Sequence, residues 1–456
     1  MRARPGRVVR FPSPAGATLN PMNAPRFSVV VPTHNRRAAV TRLLVALGEQ
    51  DPVPGGFEAI VVADGCTDGT VEALRGLDTS FPCLVLEQPA SGPAAARNCG
   101  AAHATGDILL FLDDDVEPGA NVLRAHAAFH AEVEDGIGIG YLQPAVTATG
   151  FFGVVLRGWW ESMFEESRRP GHRYLYTDLL TGHCSLERRA FERLGGFDAT
   201  LRSHEDYELG YRAIAAGMNL RFVPEATAVH HETSELSKTL RRKFDDGVAD
   251  VRLVQRFPAL GVSLPMARMP EIGPIGKLAT RLAAISPRCG DGFVAGAQWL
   301  LPVYESVGLR FRWRALLDDL LNYWYWRGII HATDHRDHVA VLLSNAPAPR
   351  EIELELDLAD GIATAARRLD ERRPNSVRFV YGEHAIGTVP ERDGAERLRG
   401  VHLPELIARH FAHEYLRAAA RAGAIPHGLP ALPEHIVNGS AARDTNPQRA
   451  RPALVG

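Results

Sequence analysis

Cysteine is scarce in this chain, with five in 456 residues. Cys66, Cys83, Cys99, Cys184 and Cys289 are dispersed, odd in number and without metal-ligand spacing. That pattern excludes a disulfide framework and a thiolate zinc site, and it suits a reducing cytoplasm. Excess charge is missing too: a net charge of −3 gives no global pull toward nucleic acid, so no nucleic-acid partner is expected. No window approaches the roughly 18 continuous apolar residues that a membrane-crossing helix requires. Residues 1–26 lack both acidic residues and an apolar core segment. With Arg2, Arg4, Arg7 and Arg10 among Pro and Gly, they read as a disordered leader and not as a secretory signal. Contact of this leader with anionic lipid is the weaker alternative.

What is present is regular punctuation. Ser28–Val31 is a buried-strand run stopped by Pro32, and a helical stretch around 36–49 carries Val40, Leu43, Leu44 and Leu47 on one face. Strands follow at 58–62, 84–87 and 108–112. A helix capped by Thr67 or Asp68 and another opened by Gly92-Pro93 alternate with them. This alternation predicts an α/β fold with a mainly parallel sheet flanked by helices. Ligands of such sheets sit at the carboxyl ends of the strands. Thr33, His34 and Asn35 follow the first strand, Asp64 the second, and Asp113, Asp114 and Asp115 the fourth. Three adjacent carboxylates repel one another, and a cation would relieve that repulsion. An isolated Asp-Asp-Asp reads as a solvated acidic turn, and it is the three-cluster rim that favours a ligand site.

Four motifs in order sharpen this reading: Val31-Pro32-Thr33-His34-Asn35, Val62-Ala63-Asp64-Gly65, Ala96-Arg97-Asn98-Cys99-Gly100 and Leu112-Asp113-Asp114-Asp115. Together they resemble the family 2 glycosyltransferases, which have the GT-A fold and invert the anomeric centre. The resemblance implies that Pro32, Thr33, Asn35 and Asp64 lie on the base and ribose side of a sugar nucleotide, with Arg97 near the nucleotide. It implies that Asp113, Asp114 and Asp115 form the Asp-x-Asp-type turn, Asp113 facing the ribose side and Asp115 binding Mn2+ or Mg2+ on the diphosphate. Ala63 departs from the family, which usually has a second acidic residue there.

Downstream, Leu194-Gly195-Gly196-Phe197-Asp198 precedes Ser203-His204-Glu205-Asp206, and this succession resembles the acceptor half of the same family. The resemblance makes Asp206 the catalytic base, with Glu205 beside it at the substrate. An inverting displacement needs one carboxylate to take the acceptor's proton, and a helix N-terminus favours the ionised form. An acidic first helical turn is the plainer reading of the pair taken alone. The Pro224–His231 run also matches, with His230 as a metal ligand and His231 as its rival, since Mn2+ accepts imidazole. Aromatics between 141 and 180, such as Trp159 and Trp160, suit either an acceptor-stacking surface or core.

Residues 27–235 therefore form the expected catalytic domain, 236–337 a helical segment packed on it, 338–433 a small α+β accessory domain and 434–456 a flexible tail. Arg241, Arg242 and Lys243 with Trp313, Tyr323, Trp324, Tyr325 and Trp326 raise a peripheral contact with the inner face of a membrane, against core packing of the aromatics. The accessory domain is assigned partner binding or acceptor recognition. The reading is transfer of a sugar from a nucleoside-diphosphate sugar to an acceptor hydroxyl on a glycan, a lipid-linked glycan or a small molecule. A nucleotidyltransferase and a non-catalytic sugar-nucleotide sensor are its rivals.

Overall fold

A computed structural model describes residues 9–10, 27–267, 273–333 and 351–424. The expected strand at 339–345 and the tail at 434–456 lie outside the described residues. The chain divides into two compact units. The first draws its described residues from those up to Phe164 and from Tyr176 to Thr333; the second draws on Glu165–Leu175 and 351–424.

In the first unit the elements run β1 (Val9–Arg10), β2 (Phe27–Thr33), α1 (Arg37–Gly48), β3 (Phe57–Asp64), α2 (Thr70–Arg75), β4 (Cys83–Gln88), α3 (Pro93–His103), β5 (Ile108–Leu112) and β6 (Val116–Pro118). They continue with α4 (Val122–Glu132), β7 (Gly136–Pro144), α5 (Gly150–Ser167), β8 (His183–Glu187), α6 (Arg188–Leu194), α7 (Glu205–Ala215) and β9 (Asn219–His230). The nine strands form one sheet in the order β1-β4-β3-β2-β5-β8-β7-β9-β6. The expected parallel pairing holds across β4-β3-β2-β5. Beyond β5 the sheet is mixed, because β8 runs antiparallel to both of its neighbours and β6 antiparallel to β9. Val9–Arg10, within the segment read as a leader, pair antiparallel with β4 at the sheet's edge.

Burial explains why β5 reads as an unbroken apolar run. Ile108, Leu109, Leu110, Phe111 and Leu112 are all buried, in a strand that lies between β2 and β8 in the interior of the sheet. Truncating one such leucine to alanine costs about 2–5 kcal/mol. That rigid strand delivers the Asp113–Asp115 turn to a fixed place, which is the link from packing to chemistry.

The helical segment comprises α8 (Leu236–Arg256), α9 (Pro274–Ile285), α10 (Pro287–Ala297), α11 (Leu300–Ser306) and α12 (Arg310–Thr333). Trp313, Tyr323 and Tyr325 are buried here, so the core reading of these aromatics is the one the structure takes. Lys243 is likewise buried, against Asp246, and Trp160 and Phe164 of α5 belong to the core of the sheet.

The second unit has its own core and its own sheet. Its strands are β10 (Leu354–Asp357), β11 (Val377–Tyr381) and β12 (His384–Val389), with α13 (Ile362–Arg372) and helical residues 403–421 around them. β10 and β11 are parallel, and β11 and β12 form the expected hairpin about Gly382. Leu175 pairs with Ala395, which ties the 165–175 segment into this unit.

Candidate active site

Burial alternates through the acidic turn and sorts its three carboxylates. Asp114 is buried and turns back to the sheet, where it accepts from Thr33 Oγ1 at 2.7 Å and Arg36 Nη1 at 3.0 Å. Asp113 and Asp115 are more exposed and are met by different cations. Arg36 also pairs with Asp115. Burial pushes the Asp114 carboxyl up to about 6 against the pull of Arg36. For Asp113 burial acts the same way, but the Arg97 guanidinium outweighs it and holds the group below the usual carboxylate range.

Arg97 is the joint of the site. It sits buried on α3, with Nη2 donating to Asp113 Oδ1 at 2.7 Å and Nη1 to Glu205 Oε1 at 2.8 Å. One guanidinium thus fastens the acidic turn to the first residue of α7. A charged donor shared by two carboxylates gives short, strong bonds and fixes their geometry. The next residue extends the joint: Asn98 donates to Phe197 O and accepts from Phe197 N, each at 2.8 Å. Gly195 and Gly196 make that approach feasible, with φ of 79° and 73°, values that side chains with a Cβ rarely adopt. The Ala-Arg-Asn helix and the Gly-Gly-Phe-Asp turn are therefore physically coupled.

Asp64 and Asn35 organise the loops at the rim. Asp64 accepts from Gln88 Nε2 and Ser91 N at 2.7 Å and from Gly92 N at 2.8 Å, which anchors the start of α3. Asn35, at φ 53°, accepts from Thr67 N at 2.7 Å and so ties the ends of β2 and β3 together. Pro32 lies in β2 opposite Val62. A cavity of about 440 Å³ opens beside Asp115, lined by Arg36, Arg37, Arg42, Asp68 and His231 among others. Its size suits a small ligand, and its arginines suit an anion.

Register gives the two histidines different neighbours. β6 pairs with β9 so that Val116 lies opposite His230, and His231 N donates to Asp115 O at 2.9 Å. His230 Nε2 consequently comes to 3.6 Å from Asp115 Oδ1, while His231 Nε2 meets Glu117 Oε2 at 2.8 Å. His230 Nδ1 is buried and has no hydrogen-bond partner among the described residues. Of the three expected ligands, Asp115 and His230 are brought together. Asp113 is engaged by Arg97 instead, and no group of three His, Cys, Asp or Glu converges on a metal position among the described residues.

Asp206 follows Glu205 in the first turn of α7 and accepts from Tyr207 N at 2.9 Å. Burial and the Glu205 charge push its carboxyl up to about 6, with His204 pulling the other way. His204 is a residue the sequence did not mark. It caps α7 in the left-handed region at φ 59° and stacks on Tyr207 with ring centroids 4.4 Å apart. Its Nδ1 lies 2.8 Å from Asp250 Oδ1, its Nε2 lies 3.5 Å from Asp246 Oδ1, and Tyr325 donates to the far oxygen of Asp250. Burial alone would lower this imidazole, but Asp250 and Asp246 outweigh it and raise the pKa to about 9. A buried imidazolium therefore sits one residue from the Glu205–Asp206 pair. Arg36 was missed as well; its position at the N-cap of α1 gives no sequence signal for its reach to Asp114 and Asp115.

Part of this chain is similar to known proteins. Residues 28–195 match the sequence model of Glycosyl transferase family 2. A validoxylamine A glucosyltransferase of Streptomyces hygroscopicus subsp. limoneus is 32% identical over 54% of this chain and 61% of its own length. A pre-mycofactocin glycosyltransferase of Mycobacterium tuberculosis is 30% identical over 51% of this chain and 48% of its own. These matches span less than two thirds of either relative. Among solved structures, a mannosyltransferase of Pyrobaculum calidifontis with GDP-Man and Mn2+ is similar over 67% of this chain and 87% of that one, at 20% identity and a TM-score of 0.44. Residues 28–195, which carry most of the large sheet, are thus similar in sequence to Glycosyl transferase family 2.

Proposed function

We propose that the protein transfers a sugar from a nucleoside-diphosphate sugar to an acceptor hydroxyl with inversion, using Asp206 as general base. The observation that carries this reading is the Arg97 bridge, which holds the Asp113 turn and the Glu205–Asp206 helix start to one site. One guanidinium brings together Asp113, held below the usual carboxylate range, and the helix start that carries Asp206, raised to about 6, which suits a reaction needing both a phosphate-handling side and a proton acceptor. Relatives named as glucosyl- and glycosyltransferases support sugar transfer as the reaction class.

In this reading Pro32, Thr33, Asn35 and Asp64 form the nucleotide end of the rim. Asp206 takes the proton of the acceptor hydroxyl as its oxygen bonds to the anomeric carbon, and the bond from that carbon to the diphosphate oxygen breaks. Arg36 and the arginine-lined cavity beside Asp115 would receive phosphate oxygens. Asp115 and His230 offer one oxygen and one nitrogen donor, a set that fits Mn2+ better than Mg2+, with the remaining ligands left to the diphosphate. A bound divalent cation supplies Lewis-acid neutralisation of the leaving diphosphate.

Calorimetric titration of nucleoside diphosphates and their sugars, with and without Mn2+, tests the reading against Asp115→Ala and Asp206→Asn. One nucleotide is expected to bind with metal, the metal effect to vanish in Asp115→Ala, and binding to survive in Asp206→Asn without turnover. Release of pyrophosphate in place of a nucleoside diphosphate would make the protein a nucleotidyltransferase. Unchanged turnover in Asp206→Asn would remove the base assignment.

A further inference from the structure

The outward face of a helix packed on a water-facing bundle is normally polar. α11 reverses this. Its inner side carries buried Leu301 and Glu305, whose carboxylate accepts from Phe151 N at 2.9 Å. Its outer side, with the residues flanking it, carries Trp299, Leu300, Val303 and Val307, spaced three and four apart along one face and all exposed. The turn that follows adds Leu309 and the start of α12 adds Phe311; Phe311 is 94% exposed and Trp299 78%. Eight of the thirteen large exposed hydrophobic side chains among the described residues fall between Leu278 and Phe311. The other two of these eight, Leu278 and Ile285, lie on the exposed side of α9 in the same helical segment.

Charge in this segment is as one-sided as its hydrophobicity. Between Pro274 and Arg312 the cations Lys277, Arg281, Arg288, Arg310 and Arg312 are all exposed. Both acids there are partly buried and engaged, Asp291 by Tyr323 and Arg327 and Glu305 by the Phe151 N–H. Indole and phenyl rings flanked by guanidinium groups match the boundary between lipid headgroups and acyl chains, with arginines reaching the phosphates. Self-association through this face fits less well: a second copy would set Arg310 and Arg312 against their own kind with no exposed acid in the segment to answer them. No helix among the described residues is long and apolar enough to cross a membrane, so the contact is one of lying on the surface.

We propose that the Trp299–Arg312 segment docks this protein on an anionic lipid surface, inserting Trp299, Val303, Val307 and Phe311 while Arg310 and Arg312 pair with headgroup phosphates. The surface differs from the Arg241–Lys243 and Trp313–Trp326 stretches that the sequence suggests, whose aromatics Trp313, Tyr323 and Tyr325 are buried.

The full chain is incubated with phosphatidylcholine vesicles, alone or containing about one third phosphatidylglycerol, and binding is read by co-sedimentation and tryptophan emission. Binding is expected to the anionic vesicles and to be weakened by salt. A blue shift of emission is expected that Trp299→Phe removes, since Trp299 is the exposed tryptophan. Phe311→Ser and the Arg310→Glu/Arg312→Glu pair should each lower the partition coefficient by ~10-fold or more. All these positions are exposed, so an unchanged thermal midpoint separates loss of docking from loss of fold. Equal binding to neutral vesicles, full binding by Phe311→Ser, or no binding to anionic vesicles would each overturn the proposal. So would a lipid-free dimer that Phe311→Ser abolishes, which would assign the face to a second copy.

Discussion

At the Asp113–Asp115 turn every carboxylate meets a cation: Asp113 meets Arg97, and Asp114 and Asp115 meet Arg36. At the start of α7 the two carboxylates are treated unequally. Glu205 takes the second arm of Arg97, and Asp206 is left beside that charge with a backbone N–H and the more distant His204 imidazolium. The same residue type therefore ends in two states. Asp113, braced by Arg97, is held below the usual carboxylate range and suits binding, whereas Asp206, raised to about 6, holds its proton more readily and suits proton transfer near neutral pH. The difference arises from which acid Arg97 reaches, and so from the position of α3 against the sheet.

The contrast breaks most visibly at Asp206. Asp206→Asn should lower kcat by roughly 10²–10⁴-fold while leaving donor affinity within about twofold, as product formation and calorimetry together would show. Loss of donor binding instead would place Asp206 on the phosphate side. Arg97→Met should be the costliest change to the fold, because it strands Asp113 and Glu205 without their buried partner. A loss of about 3–5 kcal/mol in urea unfolding is expected. Near-wild-type stability would mean that the two clusters are not joined through this residue. Asp206→Asn should also stabilise the protein, since a carboxyl raised from about 3.8 to about 6 opposes folding once ionised. The gain, about 1–3 kcal/mol, should be present above pH 6 and vanish below pH 4.

The parallel half of the sheet was legible because β2, β3 and β5 are buried on both faces and spell continuous apolar runs between turn residues. β7 was not. Its Gly136-Ile137-Gly138-Ile139-Gly140 stretch has the wrong composition for a strand, and the structure shows why glycine stands there. A Cβ at Gly138 would come within 2.8 Å of the Phe129 ring, and one at Gly140 within 2.2 Å of His183. Close packing by α4 and β8 removed the side chains that carry the period-two signal. The acidic turn and the Glu205–Asp206 pair were readable as motifs. Their electrostatic state was not, because the groups that set it act from far along the chain: Arg36 lies 78 residues from Asp114, Arg97 108 from Glu205 and Asp250 46 from His204.

His204 offers the finest test of the contrast. Facing it are Asp250 and Asp246 from α8, with Lys243 and Arg242 on the same helix; Tyr325 from α12 reaches Asp250; and Asp206 and Tyr207 follow it on α7. Because its pKa is raised from 6.5 to about 9, the stability it contributes is full below pH 6.5 and is lost as pH rises through 9. His204→Gln should therefore flatten the fall in stability between pH 7 and 9, at the cost of lower stability throughout the acidic range. With Asp206 as the proposed base, the effect on catalysis would run through its carboxyl, which the His204 charge pulls downward. Removing that charge leaves burial and Glu205 opposed only by the Tyr207 N–H and Arg242, so the acidic limb of kcat/KM should move to higher pH, by about half a unit to one unit. A purely structural role would lower kcat/KM at every pH and leave the limb in place. Rescue of the limb by His204→Lys, which restores a cation without the ring, would assign the shift to charge and not to stacking on Tyr207.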